Sequence, residues 1–213
     1  MEMMMSKYVP YKVFFTKGVG SDRDELHSFE RALRDAEIEK FNLVQVSSIF
    51  APECKMISKA QGLKSLKPGA IVYCVMNKAC TNEMNKLLVA SVGCAISADK
   101  SSHGYIGEYH AYGQSKKQAG DCAEDLAASK LASIMGINFK ADKSWNEKKE
   151  FFKISGKIVR TRNVTQSDVV KSEGYTTVLA AAVFIMEKKE DFEKDFKPVR
   201  LKSEIVSTPS KLH

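Results

Sequence analysis

The sequence predicts a mixed α+β or layered-sandwich fold. Three observations predict it. The apolar period switches along the chain from strand type to helix type and back. The coarse order runs strand, helix, strand, several strands, a long helix and strands again. Residues 175–186, YTTVLAAAVFIM, form the most apolar segment and read as a core strand. The 213 residues, 44% hydrophobic and 28% charged, are enough for one domain with a closed core. Residues 1–186 are read as that domain, and 187–213, rich in Lys, Glu and Ser, as a charged tail.

Residues 11–16 (YKVFFT) are aromatic and β-branched, which predicts a first strand stopped by Gly18-Val19-Gly20; 17–26 reads as a polar loop. Phe29, Ala32, Leu33 and Ala36 fall at i, i+3, i+4 and i+7, predicting a helix from about 28 to 37. Asn42 to Ser47 is a short β-type segment ending at two serines. Lys67-Pro68-Gly69 is a turn signal, followed by an apolar strand over 70–76. Residues 82–90 are ambiguous between helix and strand; 92–97 and 104–112 read as two strands. Ser115 with Gln118 three residues on has the spacing of a capping box. The helix behind it is the longest in the chain, carries Ala119, Cys122, Ala123, Leu126, Ile134 and Met135 on one side, and stops at Gly136. Residues 138–155, with the only tryptophan, Trp145, read as a surface excursion. Residues 157–164 read as a further strand.

Composition removes several classes of function. No run approaches the roughly 18 apolar residues of a membrane span, and no apolar h-region follows Met1–Ser6, so a cytoplasmic chain with no membrane partner is expected. The five cysteines, Cys54, Cys74, Cys80, Cys94 and Cys122, have no Cys-x-x-Cys spacing and read as inert buried thiols. With histidines only at 27, 103, 110 and 213, no metal site is expected. The net charge of +7 raises nucleic acid as a partner. Its excess is spread in pairs such as Lys116–Lys117 and Lys148–Lys149, with no basic recognition motif, so a solvated basic surface is the reading. Gly18-Val19-Gly20 lacks the third glycine of a nucleotide loop.

Ser47-Ser48 is the first candidate for chemistry. Two hydroxyls can simply close a turn. But the pair ends an apolar run and is followed by Ile49, Phe50, Ala51 and Pro52, so it is held rather than free. A held Ser48 hydroxyl can attack the carbonyl of Ser47, turning an amide into an ester. Elimination, hydration and loss of ammonia then leave a ketone beside an amide, a pyruvoyl group. Proximity supplies the rate, and the oxygen charge needs a donor, for which Asn42 is one candidate. The physical chemistry permits this route without selecting it.

The stretch Phe14–Lys55, above all FERALRDAEIEKFNL and VSSIFAPE, resembles the pyruvoyl-dependent arginine decarboxylases, as does GYIGEYHAYGQSKKQA from Gly104 to Ala119 and, more weakly, TTVLAAAVF near the end. The resemblance implies a layered αββα-type sandwich with mixed β-sheets, and helices outside the sheets. It implies cleavage between 47 and 48 into a short β chain, ending at Ser47, and a larger α chain, and a pyruvoyl cofactor made from Ser48 in place of pyridoxal phosphate. Asn42 then acts in self-processing or in ordering the site, Glu108 is the proton donor, and Glu30 meets the substrate guanidinium. The family usually has aspartate there; Glu30 keeps the charge one methylene further out. The partners implied are arginine or a similar amino acid, the chain's own cleaved fragment, and further copies in a trimer or hexamer with active sites between subunits.

Each residue also has a plainer reading. Glu30, in the first turn of a helix beginning near 28, is favoured there by exposed backbone N–H groups, and Asp22, Asp24 and Glu25 lie close enough to serve a guanidinium as well. Glu108 shares a strand face with Ile106 and His110. Burial of that face would help it hold a proton, and a surface or salt-bridged glutamate is the alternative. His110 reads as a supporting or surface residue. The rival functions are a pyruvoyl enzyme for another amino acid and a basic non-enzymatic nucleic-acid or assembly protein.

Overall fold

Tyr175–Ile185, the most apolar run, is the central strand of a five-stranded sheet, and all but its first residue are buried. The computed structural model describes residues 8–97, 102–136, 151–154 and 157–186. In chain order these form β1 (Lys12–Asp22), α1 (Glu25–Asp35), β2 (Asn42–Gln45), β3 (Ile49–Phe50), β4 (Lys55–Met56), α2 (Lys59–Lys64), β5 (Ile71–Thr81), β6 (Leu87–Ser97), β7 (Gly104–Tyr112), α3 (Lys116–Ile134), β8 (Phe151–Ile154), β9 (Lys157–Val169) and β10 (Tyr175–Ile185). One sheet has the order β2-β5-β10-β1-β4 and the other β3-β7-β6-β9-β8. β2–β5 and β1–β4 are parallel and the remaining pairs antiparallel, so the first sheet is mixed.

Alternation along the strands sorts side chains to two faces. Val13, Val75, Ala180, Ala182 and Phe184 of the first sheet meet Val92, Cys94 and Ile106 of the second in the sandwich interior. Phe14, Leu179, Ala181 and Val183 point outward and are covered by Ala32 of α1 and Ala36 at its C-terminal cap. Ala127, Ala128, Leu131 and Ala132 of α3 cover the second sheet over Ala95. The layers are therefore helix, sheet, sheet, helix, as the αββα expectation has it.

The expected glycine stop after residue 16 is not a stop. β1 continues through Gly18 and Gly20 to Asp22. A Cβ at Gly18 would lie 2.1 Å from the Ala32 carbonyl oxygen, and one at Gly20 2.3 Å from that of Ser28. The glycines let α1 lie directly on the strand. α1 also starts earlier than its apolar stripe suggests, because Asp24 caps it by accepting the His27 N–H at 3.0 Å. Glu30 is therefore mid-helix and not in the first turn.

Of the ambiguous stretch 82–90, residues 82–86 form a turn and those from Leu87 onward begin β6. α3 has the expected cap: Ser115 and Gln118 satisfy each other's backbone N–H groups, and Gly136 takes positive φ beyond its end. Its buried side differs from the expected stripe. Leu126 and Ile134 are exposed, and the buried residues are mostly alanines. Small side chains bring the helix axis close to the sheet, and a Cβ at Gly107 would lie 2.2 Å from the Ala123 carbonyl. The expected excursion at 138–155 falls mostly outside the described residues, Trp145 included; residues 151–154 form β8 at the edge of the second sheet. The tail 187–213 also lies outside them.

Candidate active site

β2 ends one sheet and β3 ends the other, and both ends lie on the same side of the sandwich. Their neighbours β5 and β7 face each other across it, with His110 Nδ1 3.2 Å from Asn77 Oδ1 and Tyr112 donating to the Cys80 carbonyl at 3.1 Å. The chain between β2 and β3 therefore crosses from sheet to sheet. Val46 N–H still bonds the first sheet, through the Cys74 carbonyl at 3.0 Å, while the Ser48 carbonyl already accepts Ile106 N–H of the second at 2.8 Å. The crossing itself is Ser47.

The serine pair is held, as expected. Ser48 is half-buried, and its hydroxyl donates to Glu108 Oε1 at 2.9 Å, across a separation of 60 residues in the chain. The Ser47 carbonyl accepts Ile49 N–H at 2.9 Å. The structure thus joins Ser47, Ser48 and Glu108. Glu108 is exposed, against the expected burial of its strand face; Ile106 is fully buried, but Glu108, His110 and Tyr112 on the same face are not. β3 pairs β7 only at Gly104 and Tyr105, so β7 is itself an open edge from Glu108 onward.

Asn42 and Glu30 are not brought to this pair within one chain. Asn42 Nδ2 donates to the Gly69 carbonyl at 2.8 Å, pinning the start of β2 to the 67–70 turn at the far end of the strand from Ser47. Glu30 lies on α1, outside the first sheet, and takes Arg34 Nε at 2.7 Å. Asp22 binds Arg31 at 2.8 Å; the Asp24 N–H, and then the Arg31 charge, hold its carboxyl below the usual range. Asp24 is the helix cap. These neighbours are committed to structure.

Sequence reasoning missed Asn77. Its Nδ2 is buried with no hydrogen-bond partner, while its Oδ1 meets His110. A polar residue directly after the apolar run 70–76 was the available signal. The cysteines are only partly as expected: Cys54, Cys74 and Cys94 are buried, Cys80 and Cys122 half-buried. Burial pushes Cys54 and Cys94 up to about 12. Burial first, then the Glu108 charge, pushes Cys74 up to about 11. A groove of about 450 Å³ lies elsewhere, between Met56–Lys59 and Arg162–Val164. Among the described residues, no group of three or more His, Cys, Asp or Glu is placed to hold a metal ion, and no helix is long and apolar enough to cross a membrane.

Residues 12–189 match the family model described as pyruvoyl-dependent arginine decarboxylase. The chain is 53% identical over 179 residues to a probable pyruvoyl-dependent arginine decarboxylase of Chloroherpeton thalassium, covering 84% of this chain and 98% of that one. It is 53% identical over 178 residues to the protein of the same description from Chlorobaculum tepidum, with the same coverage. It is 46% identical over 181 residues to pyruvoyl-dependent arginine decarboxylase 2 of Methanosarcina acetivorans, covering 84% of this chain and 99% of that one. Sandwich, serine pair and matches together define the class, an enzyme that decarboxylates by means of a pyruvoyl group. The chain belongs to the pyruvoyl-dependent arginine decarboxylase family.

Proposed function

We propose that this chain cuts itself between Ser47 and Ser48, converts Ser48 into a pyruvoyl group and then decarboxylates L-arginine to agmatine and CO2. The observation that carries the reading is the 2.9 Å hydrogen bond from Ser48 Oγ to Glu108 on the strap between the sheets. The residues present fit the formation of such a group: a serine hydroxyl on a carboxylate, a fixed carbonyl before it, and anchoring bonds on both sides.

Glu108 takes the hydroxyl proton as Ser48 Oγ bonds to the Ser47 carbonyl carbon. The Ser47–Ser48 C–N bond breaks, and the proton passes to the Ser48 nitrogen. The ester so formed loses the Ser48 Cα proton, and the Ser47 carboxylate leaves as a new C-terminus. A proton returns to Cβ to make the methyl group, water adds at Cα, and the nitrogen departs as ammonia. Holding the groups in contact supplies the effective concentration that this slow step needs.

A pyruvoyl ketone supplies a sink for the electrons left on the substrate's Cα when CO2 departs. Glu108, whose hydroxyl partner is consumed during maturation, stands beside residue 48 and delivers the proton to Cα. Glu30 holds a guanidinium already, that of Arg34; in the reading proposed it receives the guanidinium of arginine in the site of an adjacent copy. Asn42 acts as a positioning residue, fixing the start of β2 and so the length of strap left for the serines. Val44, Val46 and Ile49 are exposed on and beside the strap, and Ile71 at the far end of β2's neighbour, which favours a trimer or hexamer that covers them.

Intact mass of purified protein tests the reading. Two fragments are expected, 1–47 and one beginning at residue 48 with a ketone-bearing group, while Ser48→Ala stays whole and inactive. Release of CO2 should be greatest from arginine when arginine, lysine, ornithine and histidine are compared. Preference for another of these would assign the enzyme to that amino acid. An active protein with an unbroken backbone at Ser47–Ser48 would end the proposal.

A further inference from the structure

The attack on Ser47 places negative charge on its carbonyl oxygen, and Asn42, the side chain expected to meet it, is spent on Gly69. We infer that the backbone N–H of Ile49 is the oxyanion donor of self-cleavage. The inference rests on the self-processing reading above and adds to it the group that stabilises the cyclic intermediate.

The register of β3 on β7 makes this amide available. Ile49 lies opposite Tyr105, and the ladder bond beside them runs from Ile106 N–H to the Ser48 carbonyl. Ile49 and Tyr105 are thus a non-hydrogen-bonded pair of an antiparallel ladder, in which both residues' own N–H groups point away from the partner strand. β3 is the last strand of its sheet, so the Ile49 N–H meets no further strand on that side. It turns back and donates to the Ser47 carbonyl oxygen at 2.9 Å. A one-residue slip of the register would place this N–H in the ladder and remove it from the carbonyl.

Three bonds then hold the groups around the scissile peptide bond. Ile106 N–H fixes the Ser48 carbonyl, Glu108 holds the nucleophilic hydroxyl, and Ile49 N–H lies on the oxygen that gains charge. The Ile49 N–H is in place before reaction begins, which is the condition under which such a donor is effective. It also polarises the Ser47 carbonyl in the precursor, so the same bond favours attack and stabilises its product. The donor is a main-chain group set by strand register, and no side chain at position 49 is required for it.

The test is the rate of precursor loss, followed by intact mass, in the full chain with the α-hydroxy analogue of isoleucine at position 49. This exchanges the amide N–H for an ester oxygen and leaves the side chain in place. Cleavage should slow by about 10²–10³-fold, as for loss of one oxyanion donor. Ile49→Ala, which removes the side chain and keeps the N–H, should slow cutting far less. If the ester variant cuts as fast as wild type, or if Ile49→Ala slows as much, the inference is overturned while self-cleavage itself stands. A wild-type chain that never cuts at Ser47–Ser48 overturns the underlying reading instead.

Discussion

Glu108 touches a hydroxyl on one side and faces solvent on the other, so a proton can arrive by one route and leave by another. At neutral pH the Cys74 thiol, held at about 11, is protonated and is no rival nucleophile at this end of the sandwich. In Glu108→Gln the amide oxygen can still accept the Ser48 hydroxyl but cannot take its proton. Cleavage is expected to slow. Turnover per cut subunit should fall by about 10²–10⁴-fold, the usual worth of a positioned acid or base. Mass spectrometry gives the cut fraction and CO2 release gives the turnover. Full activity per cut subunit would remove Glu108 as proton donor. Ser48 and Glu108 were legible in the sequence because a family motif marks each of them. The contact between them was not, because it joins residues 60 apart through the meeting of two strand edges.

Among the elements, α3 buries one carboxylate within its alanine face. Glu124 accepts Asn163 Nδ2; Asn163 Oδ1 accepts the Thr165 hydroxyl at 2.8 Å, and Thr165 meets Ser91 at 2.8 Å. Asp125 beside it has its pKa raised, first by burial and then by the charges of Asp121 and Glu124. An acid with a raised pKa binds its proton more readily in the folded state. The folded chain therefore gains stability as pH falls through that raised value toward the ordinary 3.8, and loses it as pH rises. Asp125→Asn is expected to raise Tm at pH 7.5, by an increment that shrinks toward zero near pH 4. A lower Tm at pH 7.5, or a difference indifferent to pH, would contradict it. The capping box of α3 and the apolar run of β10 could be read directly, because local pattern alone determines them. The extension of β1 through its glycines could not: those residues answer to α1 packing on them, not to a turn. Leu126 and Ile134 misled for a related reason. Close packing on Gly93 and Gly107 selects alanines, and the larger apolar side chains point elsewhere.

Across the whole molecule, the position of the strap determines what a cut can do. It lies between two anchoring bonds, Val46 to the first sheet and Ser48 to the second, so each new end stays tied to a different sheet. The fragment 1–47 carries β1, paired with β10 along all 11 of its residues, and α1, packed on the same sheet. Val13, Phe14 and Ile38 of this fragment are fully buried, and each such side chain contributes roughly 1.5–3 kcal/mol by leaving water. Releasing the fragment would expose them and open the centre of the first sheet. The two pieces are therefore expected to remain one folded unit, with the freedom gained confined to the strap. Hydrogen exchange on the cut protein and on uncut Ser48→Ala should show faster exchange only around residues 44–50, with β1 and β10 amides equally protected in both. Loss of protection in β1 on cutting would mean that the covalent strap, and not the eleven-residue ladder, holds the first sheet together. The cut would then have to await assembly with other copies.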